Sequence, residues 1–208
     1  MSSQDSPIPF MFSAQGPLAQ TLDNYRQRQQ QLDMALAIEQ AIKTNEVLVV
    51  EAGTGTGKTF AYLVPALLSG GKVIISTGTK TLQDQLFHRD IPAVRDALKV
   101  PVQVAMLKGR ANYVCHFHVE RASRDGRFSN RDDALYLQSI KQFLDSSKTG
   151  DKAELSSVPE SATIWPLVTS TKDNCLGQEC QHYKDCFVVA ARKRAMESDV
   201  VVVNHHLF

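Results

Sequence analysis

No stretch of this chain approaches the roughly 18 consecutive apolar residues of a membrane-spanning helix. Its opening, MSSQDSPIPFMFSAQGPLAQ, lacks the basic start and apolar centre of a secretory signal. Neither sign of charge dominates: 23 Lys and Arg against 22 Asp and Glu leave a net charge of +1. Nucleic acid would therefore have to be met by a local patch, and no membrane partner is expected. Cysteine is scarce, with four in 208 residues. A cytoplasmic location follows, where thiols stay reduced and disulfides are disfavoured. Internal repeats are absent. At 43% hydrophobic and 22% charged, the chain has the composition of a soluble globular protein of one large domain, or one and a half ordinary ones.

Residues 1 to about 20 mix Ser, Pro, Gln and Gly without periodicity and read as a loose lead-in. From Tyr25 to about Lys43 the apolar spacing predicts a helix. EVLVVEAG then reads as a buried strand, TFAYLVPALLS as a helix disturbed by Pro65, and GGKVIIST as a turn and second strand. KTLQDQLFHRDIPAVRDALK predicts two helices parted before Pro92, and VPVQVAML a third strand. This alternation predicts an α/β fold, a parallel sheet with helices on both faces. At Lys108 the texture turns polar, with a loop-like middle (DSSKTGDKAELSSVPESAT). The apolar strand Val200–Val203 returns to the first pattern, so the intervening segment reads as an insertion.

VVEAGTGTGKTF carries the strongest chemistry. Gly53, Gly55 and Gly57, with Thr54 and Thr56 between them, let the backbone curl so that N–H groups face phosphate oxygens. The helix opening at Lys58 adds its positive dipole end. Lys58 is placed to reach the β- and γ-phosphates and Thr59 to ligate Mg²⁺. Ala52 stands where the usual motif has its first glycine. Upstream, Tyr25, Arg28, Gln31 and Met34 recur at three-residue spacing. Taken alone they read as a solvated helix start. Placed before a phosphate loop, Gln31 becomes a candidate for the adenine edge, with Tyr25 or Arg28 stacking on the ring.

Cys115, Cys175, Cys180 and Cys186 are separated by 59, 4 and 5 residues. Zinc sites favour close pairs, and a second close pair is missing here. Iron–sulfur clusters also take four thiolates at varied spacings, so the spacing leaves zinc and a cluster level. His116, His118 and His182 lie near enough in sequence to replace a cysteine at a zinc site. Between Lys108 and Arg131, six basic residues (Lys108, Arg110, Arg121, Arg124, Arg127, Arg131) stand against two acidic ones, with Tyr113, Phe117 and Phe128 interleaved. Such a patch can hold phosphates while rings stack on bases. After the second strand, Thr77, Thr79, Lys80, Thr81 and Gln83 fall at the carboxyl edge of the expected sheet, where ligands of open α/β sheets bind. The plainer reading of that stretch is a capped helix start.

Together these stretches resemble the N-terminal part of the bacterial DinG/YoaA-type helicases, XPD-like members of helicase superfamily two, with the YoaA branch the nearer. The resemblance spans most of residues 22 to 208. It rests on YRQRQQQLDMA, VVEAGTGTGKT, VIISTGTKTLQDQL, LKGRANYVC, WPLVTSTKDNCLGQECQHYKDCFV and SDVVVVNHHLF, and is weak from about 125 to 160. It implies a RecA-like P-loop motor domain interrupted by a small iron–sulfur domain. The expected divisions are a lead-in (1–20), the first part of the motor (21–107), the insertion (108–190) and a return to the motor (191–208). It implies that the four cysteines bind a [4Fe–4S] cluster and that Arg28 and Gln31 help recognise the adenine of ATP. Lys58 and Thr59 would hold phosphates and Mg²⁺, while Thr77, Thr79 and Gln83 would line the DNA path. The family couples ATP hydrolysis to 5′–3′ unwinding of single-stranded or forked DNA in repair and replication. A nucleoid-associated location and contact with replication and repair proteins, such as a polymerase accessory subunit, are further expectations. One departure stands out: no D-E-A-H stretch occurs in the 208 residues. The chain alone is therefore expected to be a fragment with weak or no ATPase. The alternatives are a non-catalytic module binding nucleotide and single-stranded DNA, or another P-loop NTPase with a zinc-bound insertion.

Overall fold

The structure, a computed structural model, describes residues 6–23 and 25–207. Within the expected loose lead-in, two short helices form, α1 (Ile8–Met11) and α2 (Pro17–Thr21), each with proline in its first turn. Ile8, Phe12 and Leu18 are wholly buried, so this segment is core rather than tether. Residues 1–5 of the expected lead-in lie outside the described residues. Helix α3 (Gln29–Thr44) and helix α4 (Lys58–Leu68) follow; Pro65 is accommodated inside α4 and buried.

The expected strand EVLVVEAG does not form: residues 46–52 have no regular structure, and Val47 and Val49 are 95% and 91% exposed. A strand is stable only when its N–H and C=O groups find a ladder partner. None pairs with this run among the described residues.

Strand β1 (Val73–Thr77) leads into α5 (Lys80–Gln85), a single π turn over Leu86–Asp90, and α6 (Ile91–Leu98), whose first turn holds Pro92. The helical path thus changes geometry just ahead of Pro92, where the ring removes an N–H donor. Strand β2 (Val104–Leu107) completes the first pass.

The chain divides into two units. The first runs to Met106 and regains Ser198–Val203; the second is Leu107–Glu197 with the tail from Asn204. In the second unit α7 (His116–Asp125), α8 (Arg131–Ser146) and the short α9 (Trp165–Val168) surround a core that includes Val119, Leu137, Ile140, Ile164 and Val168, and α10 (Phe187–Glu197) packs Phe187 and Ala191 with Tyr113. Helix α8 was not anticipated. Asn130 caps it by accepting from the Asp133 N–H, Asp132 and Asp133 favour its positive end, and Leu137 and Ile140 bury one face.

Strand β3 (Val200–Asn204) then enters between the others, giving a parallel three-stranded sheet in the order β1-β3-β2. Four consecutive buried valines suit this central place, where apolar side chains are needed on both faces. Val200 and Val202 join Leu63, Val64, Leu86, Ile91 and Val94 in the core of the first unit.

Candidate nucleotide loop and four-cysteine cavity

In the first unit the glycine-rich loop runs into the N-terminus of α4. Gly55 and Gly57 have φ of 79° and 82°, the left-handed region that costs an L side chain about 1–2 kcal/mol. Gly57 is the N-cap of α4. Lys58 Nζ donates to the carbonyls of Ala52 (2.7 Å) and Gly53 (2.8 Å), and the Thr56 hydroxyl donates to Gly53 O (3.0 Å). The ammonium therefore sits inside the curl, on the side where an anion would lie. Thr59, one residue into the helix, is hydrogen-bonded to Tyr62, whose own hydroxyl pKa is raised by burial.

Helix α3 braces this loop. Gln31 is buried and its Nε2 donates to Gly57 O at 2.9 Å. A Cβ on Gly57 would overlap that same Nε2, and one on Gly55 would lie 3.9 Å from Arg28 Nη1. Arg28 is exposed at the start of α3, whereas the Tyr25 hydroxyl donates to Phe12 O (2.9 Å) and packs against the core. Of the three residues expected around adenine, Arg28 reaches the loop from solvent and Gln31 spends its amide N–H on the loop. Tyr25 is tied to the core instead.

The residues expected along a DNA path divide in the same way. Thr77 is buried and its hydroxyl donates to Thr79 O (3.1 Å) and Val203 O (3.3 Å). Gln83 is fully buried, with Nε2 donating to Val202 O at 3.0 Å. Thr79 is the N-cap of α5, its hydroxyl accepting from Leu82 N at 3.2 Å, which is the plainer of the two expectations. Lys80 is exposed. In the second unit Lys108 is buried and paired with Asp151 at 2.8 Å, and buried Tyr113 accepts from Lys108 N at 3.1 Å. Burial pushes the Tyr113 hydroxyl pKa up. These contacts make Thr77, Gln83, Lys108 and Tyr113 parts of the scaffold, which corrects the expectation that they face DNA; Arg110 keeps partial exposure.

All four cysteines line one cavity of about 520 Å³ in the second unit, and none forms a disulfide. Cys115 is fixed by main-chain pairing on both sides. Tyr113 bridges to Asp151 and Val114 to Thr169, while Cys115 N donates to Val168 O at 2.8 Å. Cys115 is also the N-cap of α7, where the main-chain N–H groups of His118 and Phe117 favour its thiolate without forming a side-chain cap hydrogen bond. Burial pushes that thiol up from its ordinary pKa, and Cys186 and Cys180 add to the rise, while the two N–H groups oppose it. The other thiols come from a run of tight turns. Cys180 N donates to Gly177 O (3.3 Å), Tyr183 N to Cys180 O (2.9 Å) and Cys186 N to Tyr183 O (3.4 Å). Gly177 adopts a φ of 58° and Cys186 directly precedes α10.

Arg110, Val114, His118, Leu176 and Val188 complete much of the wall. His116 stacks on Phe187 and His182, and His182 pairs with Glu120 at 3.0 Å. Burial lowers the pKa of both His116 and His118. Among the described residues no three His, Cys, Asp or Glu side chains close on a point that would hold a single metal ion.

The sequence model of the DEAD/DEAH box helicase family matches residues 31–113. The chain is 47% identical over 204 residues to a protein named ATP-dependent DNA helicase YoaA from Haemophilus influenzae, covering 98% of this chain and 32% of that protein. It is 52% identical over 200 residues to the Escherichia coli protein of the same name, covering 95% and 31%. Over nearly its whole length the chain is similar to proteins named YoaA. A protein named ATP-dependent helicase DinG from Mycobacterium tuberculosis is 35% identical over 208 residues, covering 89% of this chain and 31% of that relative. The chain spans about a third of the length of these curated relatives. The family match contains both the braced phosphate loop and β1, and the parallel α/β fold is consistent with a RecA-like helicase domain.

Proposed function

We propose that this chain is the nucleotide-binding part of an ATP-dependent DNA helicase acting in repair and replication in the cytoplasm. The observation that carries the reading is the loop of Ala52–Thr59, which holds an ammonium inside a curl of backbone at the head of α4. With ATP bound, Lys58 would exchange the carbonyls of Ala52 and Gly53 for phosphate oxygens, and the Thr59 hydroxyl, now bonded to Tyr62, would hold Mg²⁺. Gln31 holds the Gly57 carbonyl so that the loop N–H groups keep their inward direction, and Arg28 stands over Gly55 at the approach to the base. The D-E-A-H pair that would complete Mg²⁺ binding and orient water is not among the 208 residues, so hydrolysis and unwinding require residues outside them. The relatives' printed names supply the substrate, DNA. Arg110 and the exposed Arg124, Arg127 and Arg131 are the side chains of the basic stretch free to meet its phosphates.

The same proposal assigns a [4Fe–4S] cluster to Cys115, Cys175, Cys180 and Cys186. Four soft thiol donors in a shared cavity, none in a disulfide, support a cluster. When bound, the group would supply a rigid four-point tie between α7, the 175–186 turns and α10. Main-chain N–H groups of Phe117 and His118 would favour the thiolate of Cys115.

The test is anaerobic purification of the wild-type chain and a Lys58→Ala variant, with ATP affinity and metal content measured on both. We expect iron near four per chain, ATP binding in the wild type only, and equal iron in the two proteins. Wild-type ATP affinity in Lys58→Ala would refute the nucleotide assignment; zinc without iron would refute the cluster.

A further inference from the structure

One polar atom in the cysteine cavity has no assigned use. His118 is 5% exposed, lines the cavity, and its Nε2 is buried without a hydrogen-bond partner among the described residues. Leaving such an atom unpaired costs about 1–3 kcal/mol, so a native structure normally gives it a partner. The other ring nitrogen is occupied. The imidazole hydrogen-bonds both the main chain and the side chain of Asn174, interactions that favour the protonated ring and so run from a ring N–H to Asn174 oxygens. Because Nε2 is the unpaired atom, that donor is Nδ1. A ring protonated at Nδ1 alone carries its lone pair on Nε2, the atom left buried without a partner among the described residues. Histidines that bind metals have this arrangement: one nitrogen donates to a carbonyl and fixes the tautomer, leaving the other bare towards the metal.

Position agrees with tautomer. His118 lies in the first turn of α7, whose N-cap is Cys115, and its main-chain N–H lies close enough to lower the Cys115 thiol pKa. Asn174, which orients the ring, immediately precedes Cys175 and is itself held, its Oδ1 accepting from Thr171 N at 2.7 Å. Cys175 is the one exposed thiol of the four. The histidine is thus fixed at the most buried edge of the donor set, and the residue that fixes it adjoins the least protected donor.

We propose that His118 Nε2 is a fifth ligand donor of the cysteine cavity, a nitrogen able to hold the iron otherwise bound by Cys175. This rests on the cluster reading above, and the experiment separates the two. Wild type, Cys175→Ala and Cys175→Ala/His118→Leu are purified without oxygen from cells grown with ¹⁵N-histidine. Iron per chain is measured, and pulsed electron paramagnetic resonance is recorded on the reduced proteins. The expected result is that Cys175→Ala keeps its iron and gains a ¹⁵N coupling absent from the wild type, and that the double variant loses iron. The ¹⁵N coupling is read on Cys175→Ala itself, so poor folding of the double variant does not blunt the test. Iron in the wild type but equal depletion in both variants overturns the His118 proposal alone, as does a retained cluster without ¹⁵N coupling. A wild type without iron overturns both.

Discussion

At the scale of single residues, the nucleotide loop depends on one close contact that its motif does not spell out. The sequence motif explains why Gly57 must be glycine for its backbone, since φ is 82°. The structure adds that its missing side chain is the space occupied by the Gln31 amide, which bonds the Gly57 carbonyl. Gly57→Ala therefore meets two separate costs, a left-handed φ of about 1–2 kcal/mol and displacement of Gln31. We expect ATP affinity to fall at least tenfold, about 1.4 kcal/mol. Adding Gln31→Ala should restore only part, because the backbone cost stays. Titration with ATP by calorimetry measures this, and an unchanged dissociation constant in Gly57→Ala would show that the loop does not need this geometry. The role expected for Gln31, reading adenine, could not be told from bracing by spacing alone. Both place an amide on the same helical face, and only the tertiary contact decides where it points.

At the scale of elements, helices α3 to α6 and all three strands of the sheet were legible in the sequence because their apolar periods are unbroken. Helix α8 was hidden by its polar composition, with its first-turn carboxylates and a buried face only one residue wide per turn. Lys108 misled for a different reason: a basic residue within a basic run reads as surface, and its partner Asp151 lies 43 positions away, the difference between 151 and 108. That pair is nearly sealed from water, with side-chain exposures of 6% and 10%. It joins the residues that lead to Cys115 to the turn that follows α8, where Gly150 O accepts from Val114 N at 2.8 Å. Asp151→Asn keeps the cap on Ala153 N but removes the carboxylate charge that faces a buried ammonium. The expected loss is about 3–5 kcal/mol. Lys108→Met/Asp151→Asn should recover most of it by removing the buried charge as well. Urea unfolding followed by the fluorescence of Trp165, the single tryptophan and a core residue of this unit, measures both variants. Equal stability of single and double variants would mean the pair is dispensable.

At the scale of the whole molecule, the main disagreement between pattern and structure is the run Glu46–Glu51. Its valines and leucine have the composition of a central strand, and nothing in the sequence distinguishes a strand with neighbours from one without. β3 has a similar composition and is buried because β1 and β2 flank it. Val47 and Val49 share one side of an extended chain and are almost fully exposed, beside a cavity of about 540 Å³ lined by Met34, Ile38, Leu48, Val50 and Tyr62. Exposed apolar backbone with free ladder groups is the usual route to association between chains. The 208-residue chain should therefore self-associate as its concentration rises. Val49→Lys should suppress this by placing a charge on the exposed side, while the phosphate loop, which begins at Ala52, keeps its contacts to Lys58. Sedimentation velocity across a concentration series, with ATP binding as the control for the loop, tests this. A wild-type chain that stays monomeric throughout, or a Val49→Lys variant that associates as the wild type does, would exclude this run as the associating edge.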